Sequence, residues 1–130
     1  MKYGYTILYV KNVTETIIFY EKAFGFVRKF ITPENDYGEL ITGETTIAFA
    51  TIELGNDNLK KGFQVSQHLN KPFGISITFT SDHIEKDFEN AIKNGAIEYA
   101  PIRLKPWGQQ VGYVKDNNGF LIEIGTPIKS

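Results

Sequence analysis

The chain has no cysteine. That excludes a disulfide framework, a thiolate metal site and a cysteine nucleophile. Histidine is scarce as well: only His68 and His83 are present, and neither has a histidine four residues away, as a two-ligand helical metal site needs. Neither sign of charge is in excess, since 14 Lys and Arg face 15 Asp and Glu for a net charge of −1. A nucleic-acid surface wants a basic stripe, and no Lys/Arg cluster interleaved with aromatics occurs. No apolar run approaches membrane-spanning length. Met1-Lys2-Tyr3-Gly4 enters a strand-like pattern at once, without the apolar stretch of a signal peptide. No glycine-rich phosphate loop precedes a helix, and Ser66, Ser76 and Ser81 lack the setting of a nucleophile elbow. The expectation is a soluble, cytoplasmic protein with neither nucleic acid nor membrane as partner.

What is present is aromatic: ten Phe and seven Tyr in 130 residues, enough to build a β-rich core in one domain. From Tyr3 to Val10 the pattern alternates as a strand, with Tyr3, Tyr5, Ile7 and Tyr9 on one face and Thr6, Leu8 and Val10 on the other. Asn12 opens a helix with Glu15 three residues on, Val13, Ile17, Tyr20 and Phe24 share its apolar face, and Gly25 sits at a left-handed cap. Strands are predicted at 26–31, 38–41 and 45–52. The order then repeats. Phe73, Ile75, Ile77 and Phe79 alternate with small residues, Asp82 is placed to cap a second helix with Glu85, and Gly95 ends it. Strands follow at about 96–104, 109–115 and 120–125. A β-α-β-β-β order repeated after about seventy residues points to duplicated half-domains. The expected fold class is α+β: one domain over 1–130, with modules at 1–53 and 73–130. The 54–72 connection is either a solvated linker or a lid or arm.

The closing hairpin carries an oddity. Glu123 lies in an otherwise apolar strand, which costs free energy unless it faces a cavity, a metal or a partner. If Asp116–Gly119 is a tight turn, Val114 pairs with Leu121 and Gly112 with Glu123, and Gln110 and Gly112 border the acid; a one-residue slip reverses every such assignment. Arg103 and Lys105 precede the corner at Trp107 and could meet an anionic ligand, although a solvated edge strand is the commoner fate of such charges.

The two β-α-β-β-β modules, Lys11-Asn12-Val13, Phe19-Tyr20 before Phe24-Gly25-Phe26, and Lys115 to Glu123 together resemble the vicinal oxygen chelate superfamily over essentially the whole chain. That group includes glyoxalase I, extradiol dioxygenases, fosfomycin-resistance enzymes and bleomycin-resistance proteins. The resemblance implies curled mixed sheets that form a cleft, usually completed in a homodimer. It also implies four metal-ligand positions, on the first and last strand of each module. Here they match Tyr5, Ala48, Gly74 and Glu123, so Glu123 is the sole retained ligand and no metal or other cofactor is expected. Tyr5, Tyr9, Gln110 and Glu123 would line the cleft. Tyr5 could bond Glu123 in a purely structural role, or the two could recognise a polar or cationic group. Pro106-Trp107-Gly108 resembles a corner of bleomycin-resistance proteins whose Trp stacks on the drug, and Tyr37 matches a second stacking aromatic. The implied function is metal-independent binding of a small aromatic or drug-like molecule, as in antibiotic resistance. The alternative is a metal-dependent glyoxalase-like lyase, isomerase or dioxygenase; a vestigial cleft serving protein interaction is a third reading.

Overall fold

A computed structural model describes residues 1–128 and contains two compact units, Met1–Ser66 and a second beginning at Gln67. The first holds β1 (Tyr5–Val10), α1 (Val13–Phe24), β2 (Val27–Ile31), β3 (Tyr37–Ile41), β4 (Thr46–Thr51) and α2 (Ile52–Asn58). The second holds β5 (Ser76–Thr80), α3 (Ile84–Lys93), β6 (Ile97–Leu104), β7 (Gln110–Lys115) and β8 (Leu121–Gly125). Each unit is a four-stranded mixed sheet with a long helix on one face. The strand orders are β1-β4-β3-β2 and β5-β8-β7-β6, with the β1–β4 and β5–β8 pairs parallel and the rest antiparallel. This is the α+β duplication that the repeat predicts. Among the described residues no helix is long and apolar enough to cross a membrane.

In the first unit the helix forms as its sequence dictates. Asn12 Oδ1 accepts from the Glu15 N–H at 2.9 Å, and Gly25 closes the other end at φ 76° with its N–H on Glu21 O. The buried face of α1 carries Val13, Ile17, Phe19 and Tyr20. Tyr20 meets Phe49 of β4 at 4.9 Å between ring centroids. Gly38 lets the helix approach β3, because a Cβ there would stand 2.5 Å from Ile17 Cδ1. Full burial of Ile17, Tyr20 and Phe49 contributes about 2 kcal/mol each. The opposite sheet face carries Tyr5, Ile7 and Tyr9, because Leu8 and Val10 are buried toward the helix.

Four features depart from the sequence expectation. The hairpin register is shifted by one: Tyr113, not Gly112, pairs with Glu123, and Lys115 pairs with Leu121. The reason is the loop. Asp116 N–H donates to Phe120 O, leaving three loop residues that end in Gly119 at φ 87°. Gly112 therefore faces α3, where a Cβ would lie 2.7 Å from Phe88 Cε2. Secondly, β5 begins at Ser76. Phe73, Gly74 and Ile75, which the alternation includes in the strand, precede the sheet, and Ile75 is exposed.

Thirdly, Asp82 does not cap α3. Ser81 does the local work: its Oγ accepts from the His83 N–H and donates to Asp87 Oδ2. Finally, the connection opens as a helix. Thr51 Oγ1 accepts from Leu54 N–H at 3.1 Å to start α2, and Gly55 is buried under Tyr9 and Phe63. Burial of that turn overrides a Gly- and Asn-rich composition that disfavours helix.

Candidate functional site

Glu123 sits at the centre of one rung of the second sheet. Thr78 flanks it on β5 and Tyr113 on β7. Both flanking hydroxyls donate to it: Thr78 Oγ1 to Oε1 at 2.8 Å and Tyr113 Oη to Oε2 at 2.5 Å. The Tyr113 phenol is held above its ordinary pKa, first by this hydrogen bond to the carboxylate and then by burial. Glu123 is thus an acid in an apolar strand whose two oxygens are each satisfied within the sheet. Tyr5, considered above as its partner, belongs to the other unit. Gln110 does not border Glu123. With the true register its Cβ shares the helix side with Gly112, and Gln110 lies beside His83, Ile84 and Lys86 at the start of α3.

Trp107 occupies the β6–β7 corner that Pro106 and Gly108 create. Gly108 takes φ 93° and donates its N–H to Lys105 O, which closes the turn. The indole is 65% exposed, yet its orientation is fixed, because Nε1 donates to Gln109 Oε1 at 2.9 Å. Gln109 is itself buried and donates through Nε2 to Thr126 O at 2.9 Å. This chain of two bonds ties the corner to the segment that leaves β8. Beside the ring lies a cavity of about 600 Å³, with Ser81, Asp82, Leu104, Gln110 and Thr126 also in its wall. An open indole face on a rigid mount next to a cavity can stack on a flat molecule.

The remaining candidates lie in the first unit. Tyr37 begins β3 and donates to Glu39 Oε2 at 2.7 Å, with its ring tilted against Phe30 at 6.0 Å. Burial first, and then the Glu39 carboxylate, push its phenol pKa up. Lys29 Nζ stands 3.6 Å from the other oxygen of Glu39. Tyr5 is exposed on the sheet face away from α1. Tyr9 is on that face too, but Phe63 lies tilted against it at 4.9 Å and α2 packs beside it, so this ring is partly committed within the protein.

The family model of the glyoxalase/bleomycin resistance protein/dioxygenase superfamily matches residues 2–124. The chain belongs to that superfamily. Among solved structures it is similar to a glyoxalase-related enzyme from Fulvimarina pelagi, at 17% identity and a TM-score of 0.81, covering 98% of this chain and 88% of that one. A family enzyme from Burkholderia phytofirmans PsJN gives 18% identity and a TM-score of 0.77, with 95% and 96% covered. TioX from Micromonospora sp. ML1 gives 16% and 0.71, with 97% and 98% covered. At these identities the likeness is one of fold. No curated protein matches the chain.

Within this superfamily fold the two sheets can be laid rung on rung. Ile7, Ala48 and Glu39 form one rung of the first, and Thr78, Glu123 and Tyr113 the matching rung of the second. Matching Ala48 to Glu123, as the resemblance does, sets Tyr5 opposite Ser76, whereas Gly74 lies before β5. With that matching, the positions that the resemblance assigns to ligands are Tyr5, Ala48, Ser76 and Glu123. Among the described residues no three His, Asp or Glu side chains converge as a metal centre requires. Tyr113 beside Glu123 and Gln109 beside Trp107 are neighbours that the sequence did not reveal. The three-residue loop ending in Gly119 was the available signal for Tyr113; nothing local announces Gln109.

Proposed function

We propose that this chain binds a small, flat, aromatic or drug-like molecule without a metal ion, and that Trp107 is the stacking surface. The observation that carries this reading is the exposed indole, held by Gln109 beside a cavity of about 600 Å³. Its place in a Pro-Trp-Gly corner agrees with the resemblance to bleomycin-resistance proteins. Sequestration of a toxic compound, as in antibiotic resistance, needs no chemistry beyond such a site. The same reading takes the working form to be a cytoplasmic homodimer, which light scattering would report as twice the 14.7 kDa chain.

The superfamily's divalent ion does not fit the residues present. A lyase-type ion needs several His or carboxylate ligands. Of the four positions only Glu123 is such a ligand, Ala48 has no donor, and both oxygens of Glu123 already accept hydroxyls. The alternative, a metal-dependent lyase, isomerase or dioxygenase, rests on Glu123. Metal analysis of protein purified without chelators separates the two. The expected result is no stoichiometric metal, with a flat aromatic probe quenching Trp107. Stoichiometric Ni, Zn, Mn or Fe that disappears in Glu123→Gln would overturn the reading.

A further inference from the structure

We propose that the cavity beside Trp107 selects flat organic cations, with Asp82 supplying the counter-charge. The inference rests on the small-molecule reading above and adds the ligand's charge and the residue that reads it. Its starting point is the composition of the wall. The wall's apolar part includes Trp107, Leu104 and Ile128, residues that are 65%, 71% and 74% exposed, so this corner offers a broad apolar surface. Among the described residues lining the cavity, Asp82 alone carries a charged side chain.

The polar side chains around Asp82 have other commitments. Ser81 Oγ is engaged by His83 N–H and Asp87, Gln109 by Trp107 and Thr126 O, and Thr126 Oγ1 by Gln110 N–H. Asp82 is exposed and does not cap α3, whose N-cap position is held by His83 without a side-chain bond. The start of α3 would by itself favour an anion, but its first turn contains Glu85 and Asp87. Lys86, in the same turn, does not line this cavity, and neither do Arg103 and Lys105. The fixed charge on the described wall is therefore negative. An indole face and a carboxylate on one cavity are the two elements that recognise an aromatic cation, by stacking with cation–π attraction and by charge pairing. A flat anion would meet the same ring and be repelled by Asp82.

Three probes of one shape and different charge test this: N-methylquinolinium, quinoline and a quinolinesulfonate. Each is titrated into the full chain by calorimetry, with quenching of the single tryptophan placing the probe at Trp107. N-methylquinolinium should bind most tightly and lose affinity as salt is raised. Asp82→Asn should weaken it about fivefold, the scale of one exposed charge contact, and leave quinoline unchanged. Glu85→Gln, outside the cavity wall, should alter neither. If Asp82→Asn leaves N-methylquinolinium unaffected while Trp107→Leu abolishes its binding, the cation inference falls and the small-molecule reading stands. If none of the three probes quenches Trp107, both fall.

Discussion

Tyr113 donates its hydroxyl to Glu123 across a single rung of the closing hairpin, at 2.5 Å. With Thr78 on the other flank, the sheet supplies one donor for each carboxylate oxygen. Glu123 in an apolar strand therefore needs no metal to be tolerated. Removing the phenol hydroxyl leaves half of that arrangement. Tyr113→Phe should lower stability by about 1.5–3 kcal/mol, the range for a hydrogen bond to a charge. Urea unfolding with an unchanged m-value checks it. A cost no larger than that of an ordinary surface substitution would mean that water replaces the phenol freely.

The same contact sets a pH dependence. Hydrogen bonding to Glu123 raises the Tyr113 pKa, and burial followed by Glu39 raises that of Tyr37. Both native phenols hold their protons more tightly than unfolded tyrosine, whose pKa is about 10. Their contribution to stability is complete below that pH and is lost as pH rises through the native values. Ultraviolet titration of the folded chain should show phenols that ionise late. Tyr37→Phe and Tyr113→Phe should each remove one, and the double variant should lose stability less steeply above pH ~10. Simultaneous ionisation of every exposed and half-buried phenol would contradict this.

The fold was legible where a signal is local and repeated. Asn12, the spacing of Val13, Ile17 and Tyr20, and Gly25 specify α1 without reference to anything distant. The register of β7 on β8 was not legible, because it depends on whether the loop counts three residues or four. That choice is made by the Asp116–Phe120 pair and by Asp116 Oδ1, which accepts from the N–H groups of Asn118 and Phe120. One residue's difference exchanged Gly112 for Tyr113 beside Glu123. Helix α2 was hidden for the opposite reason: its sequence is a poor helix former, and it is Tyr9 and Phe63 that bury Gly55. In the candidate site Trp107 was visible as a Pro-Trp-Gly corner. The Gln109 mount was not, since a glutamine in a loop looks solvated until Thr126 is brought to it.

Gly119 combines two demands that no other residue meets together. It adopts φ 87°, and a Cβ there would stand 2.6 Å from the backbone carbonyl of Gln67. The segment after Gln67 is held down independently, because buried Lys115 donates through Nζ to the carbonyls of His68 and Asn70. The β7–β8 loop and the segment cannot both keep their places around a methyl group. Gly119→Ala should cost about 2–4 kcal/mol, combining left-handed strain with the clash. Gly74→Ala, where no atom lies within 4 Å, is the matched control and should be near neutral. Equal effects of the two in thermal unfolding would refute the assignment of strain to Gly119.

Gln109 offers the most direct test of how the site is held. It links Trp107 Nε1 to Thr126 O through one side chain. Gln109→Ala leaves the indole N–H to solvent and Thr126 O without this donor, which should cost about 1–3 kcal/mol. The effect on the site should differ from that on the fold. With its mount gone, the exposed ring is free to change rotamer, and binding must then pay to order it. The tryptophan is unique in the chain, so its fluorescence anisotropy reports this residue alone. Faster depolarisation in Gln109→Ala, with weaker binding of N-methylquinolinium under conditions where the protein is fully folded, is the expected outcome. Unchanged anisotropy with the same loss of stability would make Gln109 a fastener of the β8 exit strand, and Trp107 would then owe its orientation to the Gly108 turn.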